Sequence, residues 1–128
     1  MLYQNILLID DDEDDLEIFQ AALQSVTSEI KCMTFDKADE ALAKLSSRTV
    51  APDIIFLDLN MPLITGQEFL AEIKKDEYLR DIPIIVFSTS SNSRTAQEAK
   101  NLGAHAFITK PDSFEELKNI LKSHLGLS

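Results

Sequence analysis

Apolar residues recur along this chain in two alternating rhythms. Short unbroken runs, Ile6-Leu7-Leu8-Ile9, Ile54-Ile55-Phe56-Leu57 and Ile84-Ile85-Val86-Phe87, are separated by stretches in which apolar positions return every three or four residues. An unbroken run of branched and aromatic residues reads as a strand buried on both faces, the kind found in parallel sheets. The three-and-four spacing is the apolar stripe of an amphipathic helix.

Taken in order, these rhythms predict a strand over 4–9 and a helix carrying Leu16, Phe19, Leu23 and Val26. A weaker, alternating strand over 30–35 follows, then a helix with Ala38, Ala41, Leu42 and Leu45 that Asp36 is placed to cap. Pro52-Asp53 starts a strong strand to Leu57, and Thr65 or Gly66 opens a helix with Phe69, Leu70 and Ile73 on one face. Pro83 starts the next strand, an acceptable place for proline. Ser91 or Asn92 is placed to cap a helix with Ala96, Ala99 and Leu102, ended by Gly103. The last strand covers 105–108. Ser113 and Glu116 form a capping box for a final helix through Leu117, Ile120 and Leu121, which Gly126 ends.

That is five β-α units in series. Helices between strands imply parallel pairing and right-handed crossovers, so the expected class is α/β with a five-stranded, doubly wound parallel sheet. The expectation is one domain over 1–128, without linkers and without an output domain after the fifth helix.

Composition narrows the function. The 128 residues suffice for a proper core, and 45% hydrophobic content is that of a globular protein. A formal net charge of −10 argues against nucleic acid, which needs a basic footprint. No apolar stretch approaches the roughly 20 residues of a membrane span, and no signal-like N-terminus is present. Cys32 is the sole cysteine, so no intrachain disulfide forms, and a reduced cytoplasmic setting is the simple expectation. It reads as a small core or half-buried residue rather than a reactive thiol. His105 and His124 have no partner pattern and read as structural or exposed.

The chemistry gathers where strands end. Asp10 and Asp11 follow the first apolar run, and Asp58 follows the third strand. Ser88 and Thr89 follow the fourth, and Thr109-Lys110-Pro111 the fifth. In open α/β sheets the carboxyl edge of the strands is where ligands bind. Residues 10–15 are all acidic. For Glu13, Asp14 and Asp15 a solvated first helical turn, favoured by the macrodipole, is a sufficient account. A calcium loop fails for want of its glycine and bidentate glutamate. Asp10 and Asp11 adjoin a buried strand, and with Asp58 they repel. At about 4 Å and an effective dielectric near 20, each like pair costs on the order of 4 kcal/mol. The cluster therefore wants a cation, and all-oxygen ligands favour Mg²⁺ over zinc. Lys110 would ordinarily be a surface lysine; its place after the last buried strand puts it at the acids instead. Pro111 restricts the backbone there and leaves a cis bond open.

With these residues in place the chain resembles the receiver domain of bacterial two-component response regulators, of the single-domain chemotaxis-regulator type. The resemblance rests on Ile9-Asp10-Asp11, on Asp58-Leu59-Asn60-Met61-Pro62 with Gly66 behind it, on Ser88-Thr89 and on Lys110-Pro111. Each piece is weak alone, and their order and spacing are specific together. The resemblance implies strand order 2-1-3-4-5 and Asp58 as phosphoacceptor. It also implies Mg²⁺ on Asp11, Asp58 and the Asn60 backbone carbonyl, with Asp10 acting through water. Ser88 and Lys110 would hold phosphoryl oxygens, and Ser88, Thr89 and Phe107 would form the switch. Ser88 stands where threonine is commoner, Thr89 where alanine is, and Phe107 where tyrosine is. Thr65 stands where an aspartate is usual before Gly66.

The function implied is a phosphorylation-activated switch, not a conventional enzyme, that promotes its own aspartyl phosphorylation and slow dephosphorylation. Its partners would be a histidine kinase or phosphotransfer protein, a downstream protein in trans, and a second copy as a possible homodimer. The surface made by the fourth helix, fifth strand and fifth helix is the family's usual output face. Two alternatives compete. A phosphorylation-independent binding module usually lacks an acid or the lysine, and none is lost here. A phosphoaspartyl phosphatase of the haloacid-dehalogenase type needs Asp-x-Asp after the first strand, whereas Asp58-Leu59-Asn60 ends the third.

Overall fold

The computed structural model describes residues 3–59, 65–89 and 93–127. Strands β1 (Asn5–Ile9), β2 (Lys31–Phe35), β3 (Ile54–Leu57), β4 (Ile84–Ser88) and β5 (Ala106–Thr109) alternate with helices. The helices are α1 (Glu13–Val26), α2 (Ala38–Ser46), α3 (Gly66–Lys75), α4 (Ser93–Asn101) and α5 (Phe114–His124). All strand pairs are parallel, in the order β2-β1-β3-β4-β5. The fold is the doubly wound, flavodoxin-like one that the sequence implied.

Side-chain alternation along the central strands divides the core in two. Leu7, Ile9, Ile55, Leu57, Ile84 and Val86 face one way, against Ala41 and Leu45 of α2 and Phe69, Leu70 and Ile73 of α3. Ile6, Leu8, Ile54, Phe56, Ile85 and Phe87 face the other way, against Leu16, Phe19 and Leu23 of α1 and Leu117 and Leu121 of α5. Phe19, Phe56 and Phe87 meet edge to face, with Phe19 and Phe56 centroids 5.0 Å apart. Both faces are covered, which is why β3 and β4 read as unbroken apolar runs. β2 lies at the sheet's edge with Lys31 and Met33 exposed, which accounts for its weaker pattern.

β1 hydrogen-bonds to β2 on one side and β3 on the other. The chain reverses its direction of travel across the sheet there, and the carboxyl ends of β1 and β3 flank the resulting crevice.

Helix starts test the capping expectations. Thr65 caps α3 in a full capping box: its Oγ1 accepts from Glu68 N–H at 3.1 Å, and Glu68 Oε1 accepts from Thr65 N–H at 3.3 Å. Ser113 accepts from Glu116 N–H at 3.0 Å, the serine half of the expected box. Asp36 does not cap α2. That helix begins at Ala38, so the capping position falls on Lys37, which makes no side-chain cap bond. Ser91 and Asn92 lie outside the described residues. Gly103 and Gly126 follow α4 and α5 with φ of +106° and +68°, the left-handed region that glycine enters freely. No helix among the described residues is long and apolar enough to cross a membrane. Cys32 is half-buried, and burial pushes its thiol up to about 12, so the thiolate form is rare at neutral pH.

Candidate functional site

The parallel ladder continues one residue past the strands and sets the site residues in place. Asp10 N–H donates to Phe35 O at 3.1 Å, and Asp58 N–H donates to Ile9 O at 3.0 Å. Lys110 N–H donates to Ser88 O at 2.8 Å. Backbone pairing therefore delivers Asp10, Asp58, Ser88 and Lys110 to one edge. The Lys110–Pro111 bond, which the sequence left open, is trans.

One carboxylate oxygen from each of Asp10, Asp11 and Asp58 lies within 4.8 Å of the others. Asp10 is 2% exposed and Asp58 7%, while Asp11 is exposed. The Lys110 ammonium sits among them. It donates to Asp10 Oδ2 at 2.6 Å and to Asp15 Oδ2 at 2.8 Å. Asp58 Oδ2 lies 3.7 Å away, an ion pair too long for a hydrogen bond. Asp10 Oδ1 accepts from Asp12 N–H at 3.0 Å, so each oxygen of this buried carboxylate has a protein donor. Burial disfavours the charged amine of Lys110. The hydrogen bonds to Asp10 and Asp15 and the charges of Asp10 and Asp58 outweigh it, and hold the pKa above the ordinary lysine value.

Three carboxylates thus share one ammonium, and Asp11 adds a fourth negative charge beside them. The uncompensated charge and the all-oxygen donor set fit a hard divalent cation beside Asp10, Asp11 and Asp58. Asn60 lies outside the described residues. Ser88 is fully buried at the end of β4, and Thr89 beyond it is exposed. Phe107 of β5 is half-buried against the core layer of α2 and α3. It pairs with Val86 in register, on the same sheet face as Ser88 two residues on.

The acidic run divides its labour in a way that corrects one expectation. Asp12 caps α1, accepting from Asp14 N–H at 2.9 Å and Asp15 N–H at 3.3 Å. Glu13 and Asp14 are exposed in the first turn, as expected of acids serving the dipole. Asp15 is not such a residue, because it binds Lys110. Nothing in the local spacing of the acidic run marks it out, because its partner lies 95 residues away in the chain.

Gly66 matters to this edge because α3 begins against it. A Cβ on Gly66 would lie 2.6 Å from Leu59 Cα and 2.9 Å from the Asp58 carbonyl oxygen, both backbone atoms. Gly66→Ala should therefore destabilise by about 1–3 kcal/mol despite alanine's better helix propensity. Denaturant melts of the two proteins check this. A variant as stable as wild type would mean that helix and strand end separate at no cost.

The comparisons with known proteins bear on this edge. The model of the response regulator receiver domain family matches residues 6–122. The chain belongs to that family. It is 31% identical to response regulator Rcp1 of Synechocystis over 117 residues, covering 88% of this chain and 80% of that protein. It spans 53% and 46% of two longer relatives that it also matches. Among solved structures it resembles the phosphorylated cyanobacterial phytochrome response regulator RcpA. The TM-score is 0.86 with 35% identity, covering 95% of this chain and 91% of that one. It also resembles the Mn²⁺-bound form of Rcp1, with TM-score 0.87 and 29% identity, covering 95% and 94%. As a receiver domain it is of the general kind that works as a phosphorylation-activated signalling switch rather than a conventional enzyme. That decides against the small-substrate phosphatase.

Proposed function

We propose that this receiver domain accepts a phosphoryl group on Asp58 from a histidine kinase or phosphotransfer protein and signals to a downstream protein in trans. The observation that carries the reading is the Asp58 carboxylate, nearly buried at the switch point, with Lys110 Nζ 3.7 Å away and Asp10 and Asp11 beside it. In the transfer an Asp58 oxygen bonds to phosphorus while the donor's N–P bond breaks. The bonding pair leaves with the histidine nitrogen, which takes up a proton. Phosphoryl transfer needs positioning and charge stabilisation more than covalent help. Lys110 supplies a fixed positive charge beside the acceptor, and Ser88 supplies a hydroxyl at the end of the neighbouring strand.

Magnesium is the cation proposed for the site: Asp11 and Asp58, with the Asn60 backbone carbonyl that the family resemblance implies, would hold it, and its charge would offset that of the phosphoryl oxygens. Asp10, with both oxygens already engaged, suits a role through water. The partner's approach is supported by a groove of about 240 Å³ between α1 and α5 that reaches Asp15 and Lys110. Exposed Ile18 and Phe114 line it, apolar surface of the kind that interfaces bury.

The switch assigned here runs through Ser88, Thr89 and Phe107. A phosphoryl group draws the Ser88 hydroxyl toward it, and Phe107, on the same sheet face, repacks into the space. The equilibrium between two packings shifts as phosphorylation favours one. Beryllofluoride with Mg²⁺ should therefore move NMR signals after Ser88 and around Phe107 as well as at Asp58. Shifts confined to the neighbourhood of Asp58 would sink this coupling, and the absence of any shift would sink the phosphoryl site.

A further inference from the structure

We infer that Asp15 is a positioning residue that restrains Lys110 and sets how readily the site accepts a phosphoryl group. The inference rests on the reading of Asp58 as acceptor. Lys110 has three N–H donors. Two are engaged by Asp10 and Asp15, at 2.6 and 2.8 Å, while Asp58 is held only at 3.7 Å. Asp10 is buried and fixed from its other oxygen by Asp12 N–H, so it belongs to the floor of the site. Asp15 enters from a different element, the first turn of α1, and its side chain is 35% exposed. It is therefore the lysine's one partly solvated hydrogen-bonding partner among the described residues.

Two consequences have the same sign. The Asp15 bond holds the ammonium in one geometry, so the third N–H is the one left for a phosphoryl oxygen and the nitrogen cannot move toward Asp58 without giving up that bond. Asp15 also adds a negative charge where a phosphoryl dianion has to arrive. Asp15 and Asp58 lie on one nitrogen, well inside a Debye length, so salt screens this repulsion little. Exposed Asp14 carries the same charge on the same turn and makes no ion pair with Lys110 among the described residues. The restraint is thus specific to one position in the acidic run.

The test compares wild type, Asp15→Asn, Asp15→Glu and Asp14→Asn at saturating Mg²⁺. Two quantities are measured: the affinity for beryllofluoride, and the initial rate of labelling by acetyl phosphate, in which Asp58 attacks phosphorus and acetate leaves. Asp15→Asn keeps size and one acceptor oxygen but removes the charge. It should tighten beryllofluoride binding and speed labelling by about threefold or more. Asp15→Glu should restore wild-type behaviour within about twofold, and Asp14→Asn should match wild type. An Asp15→Asn variant indistinguishable from wild type overturns the role of Asp15 alone. So does an equal gain in Asp14→Asn, which would make the effect one of bulk charge. A wild type that takes no label and binds no beryllofluoride overturns the acceptor reading, and this inference falls with it.

Discussion

Asp58→Asn should take up no phosphoryl group from acetyl phosphate and Mg²⁺, where the wild-type chain gains one base-labile group. The substitution keeps the side chain's shape, so the fold has little reason to change. It replaces a carboxylate with an amide that is no nucleophile at neutral pH. The neighbours cannot take over. Asp10 is 2% exposed, and both its oxygens are occupied by Asp12 N–H and Lys110. Asp11 is exposed, and Lys110 makes no ion pair with it among the described residues. Asp58 combines a place at the strand end with near burial and a cation 3.7 Å away, and Asp10, which shares that setting, already gives one oxygen to Asp12 N–H and the other to Lys110. Intact mass before and after mild base reads the result. Labelling of Asp58→Asn at the wild-type rate would move the acceptor to another carboxylate.

Lys110→Ala should lose about 3 kcal/mol of stability in the absence of divalent cation. Removing one partner of a buried ion pair leaves the other charge uncompensated, and that typically costs about 3–5 kcal/mol. Here the stranded charges are Asp10 and Asp58, both nearly buried, and the lower end applies because Asp11 and Asp15 reach solvent. Asp11→Ala should act in the opposite direction, raising metal-free stability by about 1 kcal/mol, because it removes a like charge without breaking the lysine's bonds. Magnesium binds the folded cluster and hardly the unfolded chain, so it should stabilise wild type by roughly RT ln(1 + [Mg²⁺]/Kd). It should stabilise Lys110→Ala more, and Asp11→Ala less. The lysine's pKa is raised in the folded state above its ordinary 10.5. Its contribution is therefore complete below about pH 10 and disappears as pH rises through the folded value. Denaturant melts of the three proteins at zero and millimolar Mg²⁺ test all of this. A Lys110→Ala variant as stable as wild type without metal would remove the lysine as the cluster's counter-charge. An Asp11→Ala variant that responds to magnesium as wild type does would mean that the acids do not share a cation.

The charge arrangement makes the site a local weakness kept in place by a strong scaffold. β1, β3 and β4 are buried on both faces, and their ladders run on into the site residues. The carboxylates are held together by backbone pairing that they do not themselves stabilise. This is the common pattern in which a rigid core tolerates an unfavourable functional cluster at its rim.

The amino-acid sequence by itself determined the five β-α units, because hydrophobic rhythm is a local property that burial on one or both faces imposes on each element. It also determined that acids end the first and third strands and that a hydroxyl and a lysine end the fourth and fifth. The strand order followed from the resemblance and agrees with the sheet. The tertiary structure alone decided which acid the lysine takes. Lys110 meets Asp10 and Asp15 across 100 and 95 residues of chain, and no local spacing reports a contact of that range. Asp12 and Asp15 look alike in a run of acids. One turns back to cap α1 and the other turns outward to Lys110, and their places relative to the helix start and to β5 separate them. The same holds at Asp36, displaced from its expected cap by a helix that begins one residue later. Periodicity is written along the chain, whereas the choice among equivalent charges depends on where the sheet brings the fifth strand.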